Sequence, residues 1–200
     1  AWQVRAAAAT AAGAVGDERI PITLMEDPEP NVRNAALETL ARLKSAAVVP
    51  QALAVLQREE DYQLLRTAAM ALHGLPEESK DHATATLLGA LRRVTDQGTD
   101  TSRDTRVAML DRIAEVLPAE RSSDLLPYVA DYDDEVGSIA AKIFQAVVGT
   151  PPAPPAKRRR YPYQPTADQL SHVPTEARIQ LDSGVVTLRL LVDVAPVTVA

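Results

Sequence analysis

The segment EDPEPNVRNAALETLARL, residues 26–43, joins an acidic, proline-interrupted turn to an apolar helix. Val32, Ala36, Leu40 and Leu43 recur at steps of four, four and three, the spacing of one helix face. Pro28 and Pro30 keep the turn out of helical geometry, and Asn31 stands where an N-cap would. The Val-Arg-x-Ala-Ala cluster at 32–36 then returns along the chain. It reads Val4-Arg5-Ala6-Ala7, Leu65-Arg66-Thr67-Ala68-Ala69 and Thr105-Arg106-Val107-Ala108, with a degenerate copy at Val136-Gly137-Ser138-Ile139-Ala140. The arginine positions are spaced by 28, 33, 40 and 31 residues.

An acid precedes the later four clusters: Asp27, Asp61, Asp100 and Asp131. Before each acid lies a further apolar segment: Ile20–Met25, Val48–Leu56, Ala83–Val94 and Leu125–Ala130. The unit is therefore helix, acidic turn, arginine-started helix. Such a unit cannot bury its apolar face alone, so neighbours must stack. Composition agrees: 34 alanines and only seven aromatic residues make a thin core that suits close-packed helices. The polar stretch 96–106, DQGTDTSRDTR, reads as an exposed loop, an insertion that could also bind a partner.

These residues resemble HEAT repeats of the short bacterial type, related to those of phycobilisome-lyase proteins. The resemblance spans 1–149, about five units of which the first lacks its leading helix. It implies that Arg33, Arg66 and Arg106 are structural and tie neighbouring turns, with Asp27, Asp61 and Asp100 as their partners. Gly137, where an arginine is expected, suits a terminal repeat.

Charge divides the chain. Residues 1–149 hold 15 basic and 23 acidic residues, net −8, while 150–166 hold four basic residues and no acid. That second stretch, TPPAPPAKRRRYPYQPT, contains six of the 15 prolines. Proline fixes φ and lacks a donor, so 150–176 reads as an extended basic linker. From Ala177 the pattern changes to period two. Arg178, Gln180 and Asp182 alternate with Ile179 and Leu181; beyond Ser183-Gly184, Val186, Leu188 and Leu190 alternate with Thr187 and Arg189. This predicts a hairpin with one apolar face. A lone hairpin is marginal in water, so it reads as the opening of a larger β domain.

The run Asp182-Ser183-Gly184, the strand Val185–Leu191 and Asp193-Val194-Ala195-Pro196-Val197-Thr198-Val199 resemble the start of cyclophilin-type peptidyl-prolyl isomerases. The resemblance covers 177–200. It implies a mostly α chain: a HEAT-like α-solenoid, a Pro-rich linker, and the first hairpin of a truncated cyclophilin-like β-barrel. That domain's catalytic arginine and substrate pocket are implied to lie beyond Ala200, so the 200 residues are expected to be inactive alone. The chemistry needs no cofactor; peptide-bond rotation faces ~18–20 kcal/mol of amide resonance, which an arginine aimed at the prolyl nitrogen would weaken. Likeness to bacterial multidomain isomerases implies an exported or envelope setting. The chain starts inside a helical pattern without Met and reads as a piece of a longer reading frame.

Other signals are sparse. With no cysteine, disulfides, thiolate metal sites and cysteine nucleophiles are excluded. Histidines stand far apart at 73, 82 and 172, and His73 reads as the end of a helix beside Gly74. Lys157–Arg160 with Tyr161 and Tyr163 could bind nucleic acid or anionic lipid, or simply be a solvated linker in an acidic protein. Tyr132-Asp133-Asp134-Glu135 could attract a cation, but acids also suit a helix N-terminus. No apolar run reaches the ~18 residues of a membrane helix. Three functions compete: an isomerase whose repeats hold client proteins and peptidyl-proline segments, a non-enzymatic protein-interaction scaffold, or a nucleic-acid-associated repeat protein using Lys157–Arg160, against which the net −8 of the repeats argues.

Overall fold

The computed structural model describes residues 1–155 and 175–190, and of Asp100 the backbone only. Among them, nine α-helices precede two strands. The helices are α1 (Trp2–Ala14), α2 (Arg19–Leu24), α3 (Pro30–Leu43), α4 (Val48–Arg58), α5 (Tyr62–Ala71), α6 (Glu77–Gln97), α7 (Arg103–Val116), α8 (Leu126–Val129) and α9 (Asp134–Val148). By packing density the chain divides into residues 1–161 and 162–200. The first unit thus runs past Val148 and takes in the start of the proline-rich stretch.

The helices pair as the repeat requires. Within units, α2 packs on α3, α4 on α5, α6 on α7 and α8 on α9. Between units, the second helices stack in series, α1 on α3, α3 on α5, α5 on α7 and α7 on α9, while α4 lies on α6. One apolar stripe cannot serve two such neighbours, so core residues occupy adjacent positions. These are Ala36, Leu37 and Leu40 in α3, then Leu64, Leu65, Ala68 and Ala69 in α5, and Met109, Leu110 and Ile113 in α7. Alanine beside leucine lets the helices approach while each buried leucine contributes about 1.5–3 kcal/mol.

Helix starts use the acidic turns. Asp61 accepts a hydrogen bond from the Leu64 N–H at 2.9 Å and caps α5. Asp133 accepts from the N–H groups of Glu135 and Val136 at 3.0 and 3.2 Å and caps α9. Asn31 is not a cap: α3 begins one residue earlier, with Pro30 in its first turn, and the Asn31 amide donates to Glu29 Oε1 at 2.8 Å. Proline is preorganised for that first position, which displaces the cap to residue 29.

The expected loop at 96–106 is almost all helical. α6 continues to Gln97, Gly98 turns the chain at φ 68°, a 3-10 turn covers Asp100–Ser102, and α7 starts at Arg103. Ser102 and Thr105 are buried, and the Thr105 hydroxyl donates to the Tyr62 carbonyl at 2.8 Å. Ser102 and Thr105 serve internal hydrogen bonds, while Asp96, Gln97, Thr99, Thr101, Arg103 and Asp104 are exposed as expected. Gly137 fits a close approach: a Cβ there would lie 3.3 Å from the Val129 carbonyl oxygen of α8.

In the second unit, β1 (Glu176–Leu181) and β2 (Gly184–Arg189) form an antiparallel hairpin. Its register pairs Ala177 with Leu188 and Ile179 with Val186. Those residues share one face with Leu181, and Ile179, Leu181, Val186 and Leu188 are exposed. The basic cluster Lys157–Arg160 and the run Asp193–Val199 lie outside the described residues.

Candidate interaction surface

The recurring arginine reaches forward by one unit. From α1, Arg5 donates through Nε and Nη2 to the Asp27 carboxylate at 2.5 and 2.9 Å. From α3, Arg33 donates to the Asp27 carbonyl at 2.7 Å and to Glu59 Oε2, in the next turn, at 2.6 Å. From α7, Arg106 donates to Asp131 Oδ1 at 2.9 Å. The side-chain partners of these three arginines lie 22, 26 and 25 residues downstream.

These pairings differ from those expected from sequence. Asp27, expected on Arg33, gives its carboxylate to Arg5, and Arg33 takes only the Asp27 backbone carbonyl. Asp61, expected on Arg66, is occupied as a helix cap. Arg106, expected on Asp100, is buried against Asp131. Arg66 lines the groove between α5 and α7. The reason is the stacking direction. Second helices lie side by side, so the start of one faces the turn that leads into the next, while its own turn acid serves its own N–H groups. The acid that lies close in sequence is therefore not the one that lies close in space.

Local electrostatics follow from these contacts. Hydrogen bonding from the Arg5 guanidinium, helped by the Glu29 N–H, holds the Asp27 carboxyl below the usual carboxylate range. Burial pushes the Asp133 carboxyl up, but Arg103 Nε at 2.6 Å and the N–H groups of Val136 and Glu135 together bring it below its ordinary value. Arg106 and Asp131 are both fully buried, and the Arg106 guanidinium carbon lies 4.6 Å from the centre of the Tyr132 ring. Burial pushes the Tyr132 phenol up. The Tyr132–Glu135 stretch thus serves as a helix start and an arginine seat. Among the described residues no group of three or more His, Asp or Glu side chains could hold a metal ion.

Between the stacked helices α5 and α7 runs a groove of about 350 Å³ lined by Arg66, Met70, Asp104, Val107, Asp111 and Arg112. Met70 is 54% exposed at its centre. A flexible thioether flanked by a guanidinium on one helix and two carboxylates on the other can accept an apolar side chain and polar groups beside it. At the far end, His73 Nδ1 lies 2.9 Å from Glu115 Oε1, and Arg112 Nη1 lies 2.7 Å from the same carboxylate oxygen. Burial raises the Glu115 carboxyl, and hydrogen bonds from His73 and the Gly74 N–H, with the Arg112 charge, outweigh it and leave the carboxyl lowered. His73, expected at the end of the helix, stands in the turn just beyond α5, with a carboxylate partner on α7 that its sequence position does not reveal. Arg103, Glu59 and Arg93 are likewise residues that sequence reading missed; Arg93 donates to the Leu56 and Glu59 carbonyls at 2.8 and 3.1 Å and closes the end of α4.

No helix of the described residues is long and apolar enough to cross a membrane. No curated protein matches the chain. Residues 21–99, from within α2 to just past α6, match the family described as HEAT repeats. That match and the serial pairing of α1 through α9 make the helical unit a HEAT-like solenoid.

Proposed function

We propose that this chain is a protein-binding scaffold of HEAT-like repeats, joined through a proline-rich segment to the opening of a cyclophilin-type prolyl isomerase domain. The observation that carries the scaffold reading is the α5–α7 groove: an exposed Met70 between Arg66 and the carboxylates of Asp104 and Asp111, on a stack of helices. Its chemistry suits a peptide segment of a partner protein, with an apolar anchor and a charged neighbour. Peptides selected from a displayed library for binding to the chain should lose about tenfold or more in affinity on Met70→Glu or Asp111→Arg. Selected peptides that bind both variants as well as the parent would remove the groove from the scaffold reading.

The isomerase half rests on the resemblance of residues 177–199, supported by a hairpin that forms where the resemblance requires one and leaves one apolar face exposed. In this reading the scaffold holds client proteins and the isomerase turns over their Xaa-Pro bonds, the link between them raising the effective concentration of substrate. Two measurements of Xaa-Pro peptide isomerisation test it. The 200 residues should not accelerate the reaction, and a reading frame extended through the whole β domain should. Absence of acceleration by the extended protein leaves the interaction scaffold standing without the enzyme.

A further inference from the structure

We infer that Pro151–Pro155 is a docked strap that closes the end of the helical stack, taking on α9 the place that a next helix takes on α3, α5 and α7. The five residues line a groove of about 360 Å³ whose other wall is Asp134, Gly137, Ser138, Ala141, Lys142 and Gln145 of α9, with Val129 of α8. Those α9 positions form one face of the helix at steps of three and four.

Repeat equivalence identifies that face. Gly137 stands where Arg33, Arg66 and Arg106 stand, and Ala141 where Leu37, Met70 and Leu110 stand. In α5, Arg66 and Met70 form one wall of an open groove whose other wall is α7. In α3 and α7, Leu37 and Leu110 are fully buried within the stack. On α9 the same two positions carry glycine and alanine. The ladder arginine is missing where no further acidic turn follows in the helical unit, and the large apolar residue is replaced by a small one. A thin extended cover fits such a face better than a helix does.

The strap's own chemistry agrees. After α9, Gly149 takes φ 84°, a left-handed turn that reverses the chain, and its N–H donates to the Gln145 carbonyl at 2.8 Å. Four prolines and one alanine make up residues 151–155. A polyproline II segment has no internal hydrogen bonds, and its prolines have no N–H to leave unpaired. Five residues at about 3.1 Å each span roughly the 16 Å that α9 rises from Asp134 to Gln145. Pro152 is half-buried, as are Gly137 and Ala141 opposite it, while the other four residues of the strap keep an exposed outer side. The segment that composition marks as a free linker is in this reading the last layer of the solenoid.

The chain has no cysteine, so Ala153→Cys carries a single nitroxide label. In the intact 200-residue protein, paramagnetic broadening should concentrate on the amides of Gly137, Ser138 and Ala141 and persist at high salt. Ala141→Lys, which fills the half-buried centre of the groove with a long side chain, should abolish that pattern while far-ultraviolet dichroism stays unchanged. Broadening spread evenly over the end of the stack, or a pattern that survives Ala141→Lys, overturns the strap. Broadening that appears only on isotope-labelled protein mixed with a separately spin-labelled copy also overturns it, and gives the face to a second molecule.

Discussion

The arginine that opens a second helix makes the same forward contact at both ends of the stack, in opposite surroundings. At the start, the Arg5 side chain is 42% exposed above an Asp27 side chain that is only 6% exposed; near the finish, Arg106 and Asp131 are both wholly enclosed, with Tyr132 against the guanidinium. The forward pairing is shared, but Arg5 donates twice, through Nε and Nη2, and Arg106 once, through Nη1, and only the second pair is sealed on both sides. A repeated contact can therefore be a peripheral clasp in one unit and an obligatory element of the core in another. Burial, not the motif, sets its weight, because an enclosed charge that loses its partner cannot turn to water.

The largest effect should come from breaking the enclosed pair. Arg106→Ala leaves the fully buried Asp131 carboxyl with the Asp133 N–H, at 2.9 Å, in place of its guanidinium partner, a loss of about 3–5 kcal/mol, read as a lower urea midpoint. The double change Arg106→Leu with Asp131→Leu should recover most of that loss, since apolar replacement of both partners removes the stranded charge. A single variant within the range of surface substitutions would end the contrast between the two ends.

Next in size is the cap of α9. Asp133 receives two N–H groups and the Arg103 guanidinium at once. Asp133→Ala should cost about 1–2 kcal/mol, with amide exchange in the first turn of α9 rising before that of α5. Asp61→Ala removes only a single cap bond at α5 and should cost nearer 0.5–1 kcal/mol, roughly the lower half of the capping range. Equal losses at both sites would mean that Arg103 adds nothing to the Asp133 cap.

How much of this was legible in the residues can be judged at the same positions. Val-Arg-x-Ala-Ala and its preceding acid disclose the helix pairs, because helical spacing and turn chemistry are local properties. The partner of each arginine is a property of stacking. Asp27 lies six residues before Arg33 and looks like its counter-ion, yet the carboxylate goes to Arg5, 22 residues upstream. Once the repeat length is known, an acid about 25 residues downstream of each arginine is the better guess, and Glu59 and Asp131 satisfy it. The polar run 96–106 misleads for a related reason: Ser102 and Thr105 satisfy backbone carbonyls inside the stack, and their composition is that of a loop. The α5–α7 groove was the least legible, since it joins Met70 to Asp111 across 41 positions that no local pattern connects.

Acid should unfasten the stack at its salt-bridged turns. Asp27, Glu115 and Asp133 all have carboxyls held below their ordinary values in the folded chain. A lowered carboxyl contributes stability that is complete above the unfolded value near 4 and is lost as pH falls through the folded one. Stability should thus be level across neutral pH and decline below about pH 4. In Asp133→Asn that decline should be shallower, because one of the lowered carboxyls is gone. An identical acid limb in the variant would detach Asp133 from the transition.

The smallest expected effect is also the one that sharpens the comparison most. Arg5→Ala removes a half-exposed guanidinium from a buried carboxylate that keeps the Glu29 N–H at 2.9 Å and a nearby Arg33. Asp27 keeps those partners, so the cost should be smaller than at Arg106 and should shrink as salt is raised, because salt weakens an ion pair with a solvent-exposed member. Arg106→Ala should show no such salt dependence, since its partner is sealed from the ions that would screen it. Measuring both variants across a salt series separates the two settings of one contact without relying on the size of either loss: parallel salt responses would mean that the enclosed end is open to solvent, and divergent ones that the repeat has moved the same pair from surface to core.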